Sequence, residues 1–213
     1  MTGIDPTPAV ILAGGRSLRM GQDKALVRLA NCTLVEHVAH QLARQTRIIA
    51  INSNSATSDI DKYPGALQFP VLPDHHPGLK GPLAGILTAM RWARELPGGF
   101  SQVATVPIDS PFFPTDLIER LAGNASAGRI AIAAFQDRLH PVFGIWPVAL
   151  ADELEQFLDT SCTYRLAAWL DHHPVAIVDF PPAGSRKNPF DPFFNINTPD
   201  DLRRAENLIG DDD

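Results

Sequence analysis

Residues 10–26 read VILAGGRSLRMGQDKAL. The apolar start of this stretch predicts a short buried strand, which breaks off at Gly14 and Gly15. A basic loop follows and carries Arg19 and Lys24, with a further arginine at position 16. Glycines let backbone N–H groups approach an anion closely, and long cationic side chains neutralise its charge. The pattern therefore predicts a phosphate-binding loop.

The loop differs from two common phosphate-binding motifs. A Walker loop ends in Gly-Lys-Ser/Thr, whereas Gly21 is followed here by Gln22 and Asp23. The dinucleotide fingerprint requires Gly-x-Gly-x-x-Gly, and the spacing of Gly14, Gly15 and Gly21 does not fit it. The missing Walker loop argues against a GTPase switch, so a phosphate-binding loop of another kind is expected.

The composition is typical of a soluble globular protein. A chain of 213 residues predicts one domain, spanning 1–213, with a core of its own. The net charge of −6 argues against a general nucleic-acid-binding protein, which would present a basic surface. Apolar runs stay well short of the roughly 18–20 residues of a membrane span. Cys32 and Cys162 lack metal-ligand spacing, as expected of free thiols in a reducing compartment. We therefore expect a cytoplasmic protein that contacts neither membranes nor nucleic acid.

Predicted strands and helices alternate along the chain. Strands are expected at 9–12, 47–52, 69–74, 102–107, 129–135, 142–146, 175–178 and 193–197. Helices are expected at 33–46, 86–96, 114–121, 147–158 and 163–170 and after Thr198, with loops at 136–141 and 181–189. This alternation predicts a three-layer α/β fold with a mainly parallel central sheet.

Polar residues stand where three of these strands end. Asn52, Asp74 and Asp109 each follow an apolar run, and in a parallel α/β sheet ligands gather at the carboxyl ends of strands. Asn52 offers both a donor and an acceptor, and a carboxylate such as Asp109 is a suitable ligand for Mg²⁺. On the residues alone, each is also an ordinary turn residue.

Five blocks carry a resemblance to a known family. They are LAGGRSLRMGQDK at 12–24, GPLAG at 81–85, PIDSP at 107–111, HP at 140–141 and FNINTP at 194–199. In sequence and in order they resemble those of the molybdenum cofactor guanylyltransferases, within the nucleotidyltransferase superfamily. The resemblance implies a Rossmann-like nucleotidyltransferase fold. It also implies transfer of GMP from GTP to the terminal phosphate of Mo-molybdopterin, with pyrophosphate as the second product.

The resemblance also implies roles for individual residues. GTP would be bound by the N-terminal half, through Leu12, Ala13, Gly14, Gly15, Lys24, Asn52, Asp74 and Asp109. The catalytic residues would be Arg19, Lys24 and Asp109, with Mg²⁺ held on Asp109. The acceptor would be bound by the C-terminal half, through Asn195, Asn197 and Arg165.

Several alternatives remain open at the level of sequence. Related cytidylyltransferases tend to have alanine at the position of Gly14, so its missing side chain favours a purine. A cytidylyltransferase, a sugar-phosphate nucleotidyltransferase and a non-catalytic protein that delivers the cofactor are the other candidates. Arg138 and His140 either face the acceptor or fix their loop. Beyond GTP and Mo-molybdopterin, the expected partners are molybdoenzymes or their chaperones.

Overall fold

The structure is a computed structural model, and it describes residues 6–14, 24–54, 69–75 and 81–210. Two predicted site residues, Gly15 and Arg19, lie outside the described residues.

Eleven strands and six α-helices occur in the described part of the chain. The strands are β1 (Ala9–Leu12), β2 (Arg28–Leu29), β3 (Cys32–Thr33), β4 (Ile49–Asn52), β5 (Val71–Leu72), β6 (Gln102–Pro107), β7 (Ile130–Phe135), β8 (Arg138–Pro147), β9 (Val175–Asp179), β10 (Ala183–Ser185) and β11 (Asn188–Phe190). The helices are α1 (Leu34–Ala43), α2 (Pro82–Glu95), α3 (Leu117–Ala122), α4 (Ala151–Thr160), α5 (Leu166–Leu170) and α6 (Pro199–Gly210).

Seven of these strands form one central sheet in the order β5-β4-β1-β6-β8-β7-β9. β8 runs antiparallel to both of its neighbours, and the other neighbouring pairs are parallel. The mainly parallel sheet predicted from the alternation of elements is confirmed.

Helices cover both faces of the sheet. Successive strand side chains point to opposite faces, so Ala9 and Ile11 pack with α1 and α3, whereas Val10 packs with α2, α4 and α5. Trp146 and Trp169 fill the second of these cores and are almost fully buried. The three-layer architecture is therefore confirmed. No helix in the described ranges is long and apolar enough to cross a membrane.

Helix α1 begins as the sequence predicts. Thr33 is its N-cap: the Glu36 amide donates to Thr33 Oγ1 at 3.4 Å, and the Thr33 amide donates to Glu36 Oε2 at 2.7 Å. This reciprocal capping box satisfies two of the amides that the start of a helix leaves unpaired. The helix ends at Ala43, three residues before the predicted end.

Helix α2 begins earlier than predicted, at Pro82. Gly81 precedes it with φ of +100°, and Pro82 occupies the first turn, where its missing N–H costs no hydrogen bond. The predicted start at residue 86 is therefore wrong by four residues, since Gly85 lies buried within the helix.

The segment between β7 and β8 is a tight hairpin, so the loop predicted at 136–141 is wrong. Phe135 pairs with Arg138 across two turn residues, of which Gln136 has φ of +54°. The register shifts after Ile132, opposite the part of β8 that contains Pro141, which has no amide to donate to the ladder. Arg138 and His140 are therefore strand residues.

Two predictions near the C-terminus are also wrong. Residues 181–189 contain the β10–β11 hairpin rather than a loop, and residues 193–197 are irregular rather than a strand. The Asp191 side chain turns the chain by accepting the Phe193 amide at 2.8 Å. Helix α6 starts after Thr198 as predicted, with Asp201 completing its cap.

Candidate active site

The site lies where β1, β4 and β6 end side by side. The Ala13 amide donates to the Asn52 carbonyl at 2.9 Å, and the Ile108 amide donates to the Leu12 carbonyl at 3.2 Å. These bonds extend the parallel ladders just past the last strand residues. The structure thus brings the start of the glycine loop next to Asn52 and the segment that carries Asp109.

Lys24 joins two distant parts of the chain at this edge. Its Nζ donates to Asp109 Oδ2 at 2.8 Å and to Asn197 Oδ1 at 2.5 Å. The side chains of Lys24 and Asp109 are only 17% and 18% exposed, so water screens this ion pair less than a surface pair. Charge-assisted hydrogen bonds of this kind fix the position of the ammonium group.

The segment with the two predicted acceptor-binding asparagines is docked on Asp109 and its neighbour. The Ile196 amide donates to the Asp109 carbonyl at 2.8 Å, and Ser110 Oγ donates to Asn195 Oδ1 at 2.5 Å. Asn195 and Asn197 therefore belong to the same cluster as Asp109, although the sequence divides them between two halves.

Asp74 forms a second polar cluster with two asparagines. Its Oδ1 accepts from Asn52 Nδ2 at 2.9 Å and its Oδ2 from Asn54 Nδ2 at 2.5 Å. The Asp74 amide donates to Asn54 Oδ1 at 2.9 Å, and Asn52 Nδ2 also reaches the Leu72 carbonyl at 3.1 Å. Asn54 is not among the predicted site residues, although it follows Asn52 by two residues at the same strand end.

Two glycines surround the Asn52 side chain and differ in how much room they leave. A Cβ on Gly85 would lie 2.5 Å from Asn52 Oδ1, so this position requires a glycine. A Cβ on Gly14 would lie 3.7 Å from the same oxygen, which is an ordinary contact. Among the described residues, a methyl group at position 14 would therefore meet only an ordinary contact.

Arg165 forms no ion pair with either cluster among the described residues. It is exposed at the start of α5, and its side chain makes no hydrogen bond to either cluster within the described residues. The preceding residue, Tyr164, packs its carbonyl beside Gly81, where a Cβ would lie 3.5 Å away. The predicted role of Arg165 thus depends on a ligand that would extend toward the start of α2.

His140 supports the segment that carries the asparagines. Its Nε2 is buried 3.7 Å from Asp191 Oδ2, and its ring centroid lies 4.7 Å from that of Phe193. Burial lowers the pKa of His140, and the nearby Asp191 carboxylate opposes this shift only in part. Arg138 Nη1 approaches the same carboxylate at 3.9 Å. This geometry favours the second interpretation of Arg138 and His140, in which they hold the chain in place rather than face the acceptor.

Other described histidines, the two cysteines and the cavity found in the structure form no part of the two clusters. Among the residues that the structure describes, no group of three or more His, Cys, Asp and Glu residues is arranged to hold a metal ion. His37 instead contacts the Leu29 carbonyl at 2.8 Å, and His75 approaches Glu155 at 3.2 Å. Cys32 and Cys162 are free thiols. A cavity of about 390 Å³ near Arg44 contains none of the predicted site residues.

Comparison with known proteins identifies the fold and the family. Residues 9–177 match the model of the MobA-like NTP transferase domain. The chain is 45% identical over 205 residues to the molybdenum cofactor guanylyltransferase of Sinorhizobium fredii NGR234, covering 95% of this chain and 91% of that protein. It is 48% identical over 201 residues to the protein of the same name from Rhizobium leguminosarum bv. trifolii, covering 94% and 91%.

Solved structures have the same architecture. The molybdopterin-guanine dinucleotide biosynthesis protein A of Archaeoglobus fulgidus superposes with a TM-score of 0.74 at 26% identity, over 96% of this chain and 99% of its own. A 4-diphosphocytidyl-2C-methyl-D-erythritol synthase from Anaerococcus prevotii reaches 0.66 at 14% identity, over 96% of each chain. The latter likeness concerns the fold alone.

Proposed function

The chain belongs to the family of MobA-like NTP transferase domains, and on that premise we propose that it is a guanylyltransferase. It transfers GMP from GTP to the terminal phosphate of Mo-molybdopterin and releases pyrophosphate. The relatives at 45–48% identity that carry this name support the assignment. The observation that carries it in the structure is the contact of Lys24 with both Asp109 and Asn197.

The reaction is mainly a problem of charge. The nucleophile is a phosphate oxygen that is already ionised near neutral pH, so the site needs no strong general base. The enzyme must instead offset repulsion between two anions and the charge that develops on the α-phosphate. In our proposal Lys24 supplies a positive charge at this point, and Arg19 contributes a second from the glycine loop.

The nucleotide is proposed to lie across the strand ends. Its binding residues are Leu12, Ala13, Gly14, Gly15, Lys24, Asn52, Asp74 and Asp109. A Cβ at Gly14 would lie 3.7 Å from Asn52 Oδ1, so the missing side chain leaves space beside that oxygen, which we propose a purine uses. This supports GTP over CTP. Asn195, Asn197 and Arg165 are proposed to bind the acceptor.

The donor set of Asp109 fits one Mg²⁺ ion. Its Oδ2 accepts from Lys24, whereas among the described residues its Oδ1 accepts only from the Ser110 hydroxyl, at 3.5 Å. In nucleotide sites Mg²⁺ commonly takes one or two carboxylates and completes its shell with phosphate oxygens and water. When bound, the ion would neutralise phosphate charge. We also propose a cytoplasmic location, where GTP is available, and transfer of the product to molybdoenzymes or their chaperones.

Pyrophosphate release from GTP and from CTP, with Mg²⁺ and Mo-molybdopterin, tests this proposal. We expect the wild-type protein to release pyrophosphate from GTP. In Lys24→Ala and in Asp109→Ala the rate should fall about 10²- to 10³-fold, since each variant removes a charged group from the reacting centre. Asp116→Asn, at a half-exposed position beside Arg120, is the control and should behave as wild type. Preference for CTP would indicate a cytidylyltransferase. Binding of GTP without release would favour a delivery protein or another acceptor.

A further inference from the structure

Ser110 has surroundings that its position in a predicted turn does not suggest. The residue is fully buried, and its Oγ lies 2.5 Å from Asn195 Oδ1 and 3.5 Å from Asp109 Oδ1. A serine hydroxyl carries a single proton. The shorter contact takes this proton, so Ser110 donates to Asn195 and leaves the Asp109 oxygen without a hydroxyl donor.

In the structure the Asn195 amide turns its oxygen toward the Ser110 hydroxyl. With Oδ1 occupied by Ser110, the NH₂ group points away from it, and within the described residues that NH₂ group has no hydrogen-bond partner. Asn197 is oriented in the same sense by Lys24, because a lysine only donates and therefore requires the amide oxygen. Both asparagines thus use their oxygens within the protein, and among the described residues no hydrogen bond occupies their NH₂ groups.

Two amide donors that no described residue uses, beside a lysine, suit an acceptor-only anionic group. Phosphate oxygens accept hydrogen bonds and offer none when ionised. We propose that Ser110 is a positioning residue: it holds Asn195 so that its NH₂ group donates to the terminal phosphate of the acceptor. This inference rests on the proposed function, since it concerns the acceptor of the same site.

Binding measurements that need no turnover test the role of Ser110. The affinity for Mo-molybdopterin is measured by fluorescence titration and the affinity for GTP by equilibrium dialysis. In Ser110→Ala the amide is free to turn, so acceptor affinity should fall about two- to tenfold, the range of one neutral hydrogen bond. GTP affinity should stay within twofold. Ser110→Thr, which keeps the hydroxyl, should recover most of the acceptor affinity.

Further variants separate positioning from a general structural effect. In an Asn195→Ala background, Ser110→Ala should have no additional effect on acceptor affinity. Asn195→Asp keeps an oxygen for Ser110 and replaces the NH₂ donor by a second acceptor, so it should weaken acceptor binding even if Ser110→Ala folds poorly. Thr105→Val is the control, because it removes another buried hydroxyl from the same region of the sheet, one that contacts Trp146.

A wrong role for Ser110 and a wrong proposed function would give different experimental results. Equal losses of GTP and acceptor affinity in Ser110→Ala, or an undiminished effect in the Asn195→Ala background, would overturn the role of Ser110. Wild-type protein that binds both ligands but releases no pyrophosphate would contradict the proposed function, while the binding data still decide the role of Ser110.

Discussion

Substitution of Gly85 by alanine tests how helix α2 packs on the nucleotide side of the site. The new Cβ would lie 2.5 Å from Asn52 Oδ1 and 3.1 Å from Leu12 Cδ2. Asn52 is 2% exposed and is held by hydrogen bonds to Leu72 and Asp74, so it has little freedom to move aside. A Cβ at 2.5 Å therefore forces a displacement of the Asn52 amide or of the helix.

Two opposing terms set the size of the effect. Overpacking a buried site costs about 1–3 kcal/mol, whereas replacing a helical glycine by alanine gains up to about 1 kcal/mol from helix propensity. We expect a net loss of about 1 kcal/mol in the free energy of unfolding. For a chain of this length, that lowers Tm by about 2–4 °C.

Urea unfolding of a double-mutant cycle isolates the contact with Asn52. When Asn52→Ala removes the obstructing oxygen, Gly85→Ala should become neutral or stabilise the protein by up to about 1 kcal/mol. Gly128→Ala is a control without a clash, since a Cβ there meets no atom within 4 Å. If Gly85→Ala destabilises equally in both backgrounds, Asn52 is not the obstacle and the packing argument is refuted.

Two further predictions concern stability. Thr33→Ala removes the capping box of α1 and should cost about 1 kcal/mol, measured by calorimetry; an unchanged Tm would contradict the role of the cap. Burial lowers the pKa of His140, with the Asp191 carboxylate opposing it, and burial likewise lowers the pKa of His173. Both histidines therefore take up a proton more readily in the unfolded protein. The free energy of unfolding is highest above about pH 6.5, the ordinary histidine pKa, and decreases as the pH falls below it. Urea unfolding from pH 7.5 to 5.5 measures this, and His173→Gln should flatten the curve; equal slopes in both proteins would count against the argument.

Local patterns predict those elements whose causes lie within a few residues. The start of α1 follows from Thr33 and Glu36, and β4 follows from a continuous apolar run that ends at Asn52. The start of α2 is harder to place, because glycine and proline are typical of both loops and helix entrances. Only the packing of Gly85 against Asn52 distinguishes the two.

Local sequence patterns do not predict the contacts that assemble the site. Lys24 and Asn197 are 173 positions apart, and no periodicity relates them. The alternation of apolar and polar residues at 193–197 predicts a strand, but the Ile196 amide bonds to the Asp109 carbonyl rather than to a neighbouring strand. Resemblance to a family supplied candidate residues for the site, and the structure shows which of the described candidates touch.

The charges of the central cluster suggest why an asparagine, rather than a second carboxylate, faces Lys24. Lys24 and Asp109 cancel each other, and the neutral Asn197 oxygen holds the ammonium group without opposing its charge. A carboxylate at position 197 would leave the cluster negative and would repel phosphate. The Lys24, Asp109 and Asn197 side chains together carry no net charge, so a polyanionic nucleotide requires positive charge from elsewhere. In our proposal Arg19 and a cation on Asp109 provide it, which makes productive binding of the nucleotide dependent on the metal ion.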